Sequence, residues 1–294
     1  MNDLVSIAIH SGKKEYFPLI ENLLKSFLIC NEYPNIELIL IESAKNMDIR
    51  DWFLKIDFDD YFINFNGEKS SIKKNENTTI KKETLFLDFE EDVPWYVCYM
   101  KSLESAVKTS TGNYFSFLAE DNQFIIKGDT IGESIKLLKA LGDQSTMINL
   151  TGMQVYKYAK ENNSHGVVKI ADGVKYFPVS NVKWDPTYLC SKKIYDKLGD
   201  FIFGDKTDPH KTINNFIKMS KDLNLSRIYK AIPAAVWFHN ENRDRYIDLI
   251  TKKTHEDPSY VLFNVDDLTN VSNMMGYWPS RPLGTDDWFN RVRS

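Results

Sequence analysis

The sequence has little cysteine. Cys30, Cys98 and Cys190 are the only three in 294 residues, and they are far apart, without the close pairing that a zinc site or a redox motif needs. They are expected as buried thiols in a reducing compartment. An excess of one charge is also missing: 37 Lys and Arg stand against 41 Asp and Glu, a formal net charge of -4. With no large basic field, generic binding to nucleic acid or to an anionic membrane is not expected. No apolar run approaches the roughly 18–20 residues that span a bilayer, and the mean hydropathy is -0.39. The opening MNDLVSIAIH has no basic flank and no small-residue cleavage site, so no signal peptide is expected and the chain reads as cytoplasmic. There is no internal repeat and no low-complexity linker.

What is there is an ordinary globular composition, 43% apolar and 27% charged, on a chain long enough to bury a full core as one large domain or one domain with a small appendage. Val5 to Ile9 is short, apolar and β-branched, and ends at the polar turn His10-Ser11-Gly12-Lys13, which predicts a buried strand and its loop. Ile20, Leu23, Leu24, Phe27 and Leu28 follow at helical spacing, with Glu21, Asn22 and Lys25 on the polar face. After Tyr33-Pro34-Asn35, Ile36 to Ile41 predicts a second buried strand that stops at Glu42-Ser43. Strand, helix, strand implies a parallel crossover.

Tyr61 to Phe65 reads as a weaker strand, and the polar stretch Gly67 to Lys82 as an exposed insertion. Tyr96 to Ser110 carries Val97, Met100, Leu103, Ala106 and Val107 on one helical face, with Thr111-Gly112 in a C-cap position. The chain then enters Tyr114 to Leu118 and ends that strand at Ala119-Glu120-Asp121-Asn122. An acidic turn at the carboxyl edge of a parallel sheet is where open α/β sheets hold their ligands. Further on, helices are expected at Ile131 to Leu141, Ile194 to Leu198, Ile213 to Leu223 and Arg243 to Thr254. Strands are expected at Met147 to Tyr156, Val167 to Ile170 and Ala231 to Phe238, before an irregular tail from Asn270.

The order VSIAIHSG, an amphipathic helix, YPNIELILIES, then a helix ending in TGNYFSFLAEDN resembles the N-terminal half of family-two glycosyltransferases over roughly the first 125 residues. The resemblance implies a GT-A fold: α/β and Rossmann-like, with a mixed, mainly parallel sheet flanked by helices and a less regular C-terminal part. It implies a nucleotide-sugar-binding half at 1–125, an acceptor-binding half at 126–240, and a C-terminal helix and arm at 241–294 packed on the domain. The implied activity is transfer of a sugar from a nucleoside-diphosphate sugar, a UDP-sugar favoured, to a hydroxyl of a glycan or other acceptor, inverting and assisted by Mg²⁺ or Mn²⁺. Polysaccharide biosynthesis is the implied setting.

The resemblance makes His10, Ser11, Glu42, Ser43, Glu120 and Asp121 donor-binding residues; Arg243, with Arg245, is a further donor-binding candidate as a forked donor to the diphosphate, and a solvated helix face is the other reading of that pair. Asp121 and His239 are the metal ligands it implies. A hard divalent ion commonly takes one or two protein carboxylates and completes its shell with phosphate oxygens and water, so one Asp can suffice. An inverting transferase also needs a base at the acceptor hydroxyl. Asp205 and Asp208, after a Gly-Phe-containing segment, are both candidates; Asp208, before Pro209, equally suits a helix N-cap. Trp184 and Asp185 lie where such enzymes shape the acceptor site, and Trp95 has the same ambiguity between sugar platform and core.

This chain has Ala119 at the first acidic position of the metal motif, Glu42 for the usual Asp, and His10 where Pro is common. Two other readings stay open: a non-catalytic sugar- or nucleotide-binding scaffold derived from a transferase, and a sugar nucleotidyltransferase, for which Ser11-Gly12-Lys13-Lys14 has only one Gly. A methyltransferase is disfavoured because the first loop lacks a glycine-rich turn. An isolated Glu-Asp pair after a strand most often does no more than solvate its turn, and that reading of Glu120 and Asp121 also stands.

Overall fold

The computed structural model describes residues 3–42, 47–55, 62–65, 68–71, 79–86, 95–124, 128–150, 169–179, 188–198, 218–230, 234–237 and 243–257. The first crossover forms as expected. Strand β1 (Val5–Ser11) is followed by a 3-10 turn (Lys14–Tyr16) and helix α1 (Phe17–Cys30), whose first turn carries Pro18; a proline there sacrifices no helical hydrogen bond. Strand β2 (Asn35–Glu42) then lies parallel to β1 in unbroken register from Val5 opposite Ile36 to Ser11 opposite Glu42. Both strands are buried along almost their whole length, which explains their near-continuous apolar runs.

Helix α2 (Met47–Lys55) packs back on β2 through Ile49 and Phe53. Strands β3 (Phe62–Phe65) and β4 (Glu68–Ser71) make a small antiparallel pair, and β5 (Thr79–Phe86) adds to β2 in parallel over eight residues. The stretch Gly67 to Lys82, expected to be an exposed insertion, therefore contains β4 and the start of β5. The sequence Thr79-Ile80-Lys81-Lys82-Glu83 has no apolar period because β5 is an edge strand, and edges keep charged residues that deter further pairing.

Helix α3 (Trp95–Thr109) leads to β6 (Tyr114–Ala119), which pairs in parallel with β1 on the side away from β2. After the short β7 (Asn122–Phe124) come α4 (Thr130–Leu141), β8 (Thr146–Asn149), β9 (Lys169–Ala171) and β10 (Val174–Val179). They are followed by β11 (Tyr188–Ser191), α5 (Lys192–Leu198), β12 (Ser226–Lys230), β13 (Ala235–Trp237) and α6 (Arg243–Glu256). Among the described residues the main sheet is mixed, nine strands in the order β5-β2-β1-β6-β11-β8-β12-β10-β9, with β13 and β7 forming a separate antiparallel pair. The expected mixed α/β architecture is present. Its parallel pairings are β5 with β2, β2 with β1, β1 with β6 and β8 with β12.

Alternation along the strands separates two apolar layers. Val5, Ile7, Ile9, Leu38 and Leu40 face α1 and α2, while Ala8, Ile39, Ile41, Phe115 and Phe117 face α3 and α5. Cys30 and Cys190 are buried, as expected, and burial pushes the Cys190 thiol up to about 12; Cys98 on α3 is only half-buried. No helix among the described residues is long and apolar enough to cross a membrane.

The expected polar face of α1 is a correction. Asn22 and Lys25 are buried, because β7 and α6 pack along that side of the helix. Lys25 keeps its charge paired with Glu21 at 2.6 Å. Asn22 Nδ2 donates to Gln123 Oε1 of β7 and to Tyr246 Oη of α6, both at 3.1 Å, and Tyr246 Oη itself donates to Gln123 Oε1.

Thr111-Gly112 is also not a left-handed cap. Gly112 is needed for close approach: a Cβ there would stand 2.6 Å from Ser6 Oγ, 2.7 Å from Ser6 N and 2.8 Å from Leu4 O. Gly112 N donates to Ser6 Oγ at 2.9 Å, and Ser6 Oγ donates to the buried Glu37 at 2.5 Å. The same carboxylate accepts from Thr111 N at 2.8 Å and Thr111 Oγ1 at 2.9 Å. The end of α3 is thereby pinned to β1 and β2.

Candidate functional site

The strand order sets the place. From β1 the chain moves through α1 to β2 and outward to β5, then returns through α3 on the opposite face to β6, on the other side of β1. Successive connections therefore diverge between β1 and β6. At such a topological switch point the carboxyl ends of the strands are left uncovered by either crossover, and open α/β sheets bind ligands there.

The three strands end in step. Ser11 opposes Glu42 in the last pair of β1 with β2, and His10 opposes Ala119 in the last pair of β1 with β6. His10 and Ser11, read as the start of a loop, are the last two residues of β1. Ser11 and Glu42 are fully buried at 0% exposure, and the turn after β6 is buried as well, Glu120 at 7% and Asp121 at 1%. A solvated surface turn is therefore not what Glu120 and Asp121 form. Carboxyl groups are almost never withdrawn from water to this degree without dedicated partners.

His10 sits on the α3 face. Its ring meets Tyr99 edge-on at 5.5 Å between centroids and stacks on Phe117 at 6.1 Å. Gly12 lies close enough that a Cβ would come within 3.0 Å of His10 Cε1. Burial lowers the imidazole from 6.5 to about 4, so it is neutral near pH 7. A neutral ring offers one donor and one acceptor and adds no cation to the site.

The turn after β6 is tied down locally. Asn122 Nδ2 donates to Ala119 O at 2.9 Å, Phe124 N donates to Ser26 Oγ of α1 at 3.1 Å, and the Phe124 ring meets Phe27 at 5.1 Å. Asn122 Oδ1 is buried with no hydrogen-bond partner among the described residues. This amide oxygen, one residue from Asp121, was not singled out from the sequence; a buried Asn immediately after an acidic turn has no periodicity to mark it. On the other side of β7, Trp237 of β13 pairs with Asn122.

The structure thus brings His10, Ser11, Glu42, Glu120 and Asp121 to one edge of one sheet. Arg243 begins α6, three positions before Tyr246, which reaches Gln123. Ser43, Trp184, Asp185, Asp205, Asp208 and His239 lie outside the described residues. Trp95 is the first residue of α3.

Among the described residues no group of three or more His, Cys, Asp and Glu side chains forms a metal cluster. The donors at the turn, the Asp121 and Glu120 carboxylates and Asn122 Oδ1, are hard oxygens. Such a set fits Mg²⁺ or Mn²⁺ held by one or two protein oxygens together with a ligand's phosphates.

No family model matches the chain. No curated protein matches it either. Solved structures similar to it include S. aureus TarS 1-349, at 12% identity and a TM-score of 0.43, covering 85% of this chain and 64% of that one. The same TarS segment in complex with UDP is 10% identical with a TM-score of 0.44, covering 84% and 64%, and a longer TarS chain is 10% identical with a TM-score of 0.42, covering 85% and 39%. The chain spans less than two thirds of each of these proteins, and a likeness at this level assigns it no activity.

Proposed function

We propose that the chain is a glycosyltransferase that moves a sugar from a nucleoside-diphosphate sugar to an acceptor hydroxyl, with inversion and with help from Mg²⁺ or Mn²⁺. The observation that carries the reading is the buried Asp121, 1% exposed, in the turn at the switch point beside the Ser11–Glu42 pair. The family-two-like order of VSIAIHSG, YPNIELILIES and TGNYFSFLAEDN supports assigning that site to a nucleotide sugar.

In this reading Glu42 and Ser11 bind hydroxyl and amide groups of the nucleoside. A buried carboxylate accepting from a ribose or base is a strong, orienting contact. Asp121 holds the metal, with His239 as its second protein ligand. The ion supplies positive charge against which the diphosphate leaving group develops. Trp237, paired with Asn122, is two residues before His239, and two residues span at most about 7 Å. Chain connectivity is therefore compatible with Asp121 and His239 serving one ion. Glu120 contacts sugar or ribose hydroxyls, and Arg243 meets the diphosphate as a forked donor.

The acceptor oxygen bonds to the anomeric carbon as the bond from that carbon to the diphosphate oxygen breaks, and the hydroxyl proton passes to the carboxylate of Asp205 or Asp208. Trp184 and Asp185 contact the acceptor.

Ala119 favours a second reading, a protein that binds the donor and does not turn it over, because the first acidic position of the motif is vacant of charge. Calorimetric and thermal-shift titration with UDP-, GDP-, CMP- and dTDP-sugars, with and without Mn²⁺ or Mg²⁺, tests both. Stabilisation by one nucleotide family that requires metal and is lost in Asp121→Ala is expected. Binding with no sugar released to water or to any hydroxyl acceptor would move the assignment to the second reading. No nucleotide binding under any metal condition would sink both.

A further inference from the structure

Helix α6 follows the β13 strand and reads, from sequence, as a helix packed on the domain. Its Tyr246 is buried, 3% exposed, and its hydroxyl lies between the side chains of Asn22 and Gln123. Those two residues come from α1, the helix that leaves the end of β1, and from β7, the strand that leaves the Glu120–Asp121 turn. Gln123 Oε1 accepts from both Asn22 Nδ2 and Tyr246 Oη, so one carbonyl oxygen joins segments separated by 101 and 123 residues of chain.

Apolar residues of similar size at these three positions could fill the same space. Hydrogen bonds differ from apolar contacts in being directional, so a buried, mutually bonded polar set selects one alignment of the elements that carry it. Here the aligned elements are α1, β7 and α6. Gln123 is two residues from Asp121, and the intervening Asn122 closes the turn by donating to Ala119 O. The path is Tyr246 to Gln123, one strand residue, then the turn.

We infer that Tyr246 is a positioning residue for the donor site: through Gln123 and Asn22, docking of α6 fixes the geometry of the Glu120–Asp121 turn and so sets nucleotide affinity. This inference rests on the reading of that turn as the donor site. It makes α6 part of the working site.

The test compares wild type, Tyr246→Phe and Asp121→Ala. Tyr246→Phe keeps the buried ring and removes only the hydroxyl. Nucleotide titration in the presence of Mn²⁺ is expected to show affinity reduced at least fivefold in Tyr246→Phe, with the unfolding temperature little changed. Hydrogen–deuterium exchange on ligand-free protein is expected to speed up at 119–124 and to stay unchanged at β1 and β2. A second variant, Gln123→Leu, should give the same affinity loss, and the double variant no further loss, as residues acting through one contact do. Wild-type affinity and wild-type exchange at 119–124 in Tyr246→Phe, whatever happens to its unfolding temperature, would overturn the inference and leave the donor site standing. If wild type binds no nucleotide, or Asp121→Ala binds as wild type does, the donor-site reading fails and this inference fails with it.

Discussion

Ser11 and Glu42 oppose each other in the last register pair of β1 and β2, and neither exposes any side-chain surface. Strand ends at a sheet edge are normally where polar residues meet water. Two adjacent strands here end in polar groups withdrawn from water, beside a third that ends in a buried acidic turn.

Glu42→Gln tests this pair. The amide is isosteric, so packing survives, but it replaces a charged acceptor by a neutral one; hydrogen bonds to charged groups are worth about 1.5–3 kcal/mol against about 1 for neutral ones. Nucleotide affinity by calorimetry should fall by about tenfold, on the order of 1.4 kcal/mol. Affinity equal to wild type would remove Glu42 from the donor site.

Gly112→Ala addresses the clamp behind the site. The new methyl would meet the backbone of Ser6 and Leu4 at 2.7 and 2.8 Å, atoms that cannot move without disturbing β1. Denaturant unfolding should show a loss of about 1–3 kcal/mol, the range for overpacking a rigid site. Adding Ser6→Ala removes the hydroxyl contact only and should not restore stability, since the backbone contacts remain. A double variant as stable as wild type would show that the hydroxyl alone sets the constraint.

These positions also show how much could be read in advance. β1, β2 and β6 are recognisable because burial on both faces demands continuous apolar runs, and the acidic turn at the end of β6 follows from that recognition. The short strands β11 and β12 are not recognisable. Ser226-Arg227-Ile228-Tyr229-Lys230 reads as polar, yet Arg227 is buried with the Tyr188 and Tyr229 rings 5.1 and 5.0 Å away, and Lys230 reaches Glu133 at 2.8 Å and Thr130 O at 2.9 Å. Tyr188, Glu133 and Thr130 come from distant parts of the chain, and no local period encodes them. The β9–β10 hairpin did carry a local signal, Asp172-Gly173, both at positive φ (47° and 77°), a pair suited to a tight two-residue turn. Asn22 and Lys25 misled for the same reason as β12: a helix read alone shows one apolar face, and what covers its other side lies 100 residues or more further along, at Gln123 and Tyr246.

A pH effect on stability follows from His10. Its folded-state value of about 4 lies below the ordinary 6.5, so below pH 6.5 the unfolded chain binds a proton that the folded chain excludes. Stability from this group is unaffected above pH 6.5, falls as pH drops through the window from 6.5 to 4, and then levels, for a total of about 3 kcal/mol. His10→Phe, which suits the Tyr99 and Phe117 surroundings, should flatten that part of the stability profile relative to wild type. Parallel profiles for the two proteins would show that His10 titrates normally and is not held neutral by burial.

Ala119→Asp asks whether the metal belongs at the end of β6. Ala119 is the last residue of that strand, half-buried and opposite His10, so a carboxylate can be added there without full withdrawal from water. If Asp121 holds a divalent ion on a bound diphosphate, a second carboxylate two residues before it adds a hard ligand or an outer-sphere contact, and Mn²⁺ affinity in the presence of nucleotide should rise about tenfold, the scale on which such contacts act. The added charge should also oppose nucleotide binding when metal is absent, because carboxylate and diphosphate then face each other unscreened. Opposite shifts with and without metal are therefore the expected signature, and a uniform weakening in both conditions would place the ion, and with it the role of Asp121, away from this turn.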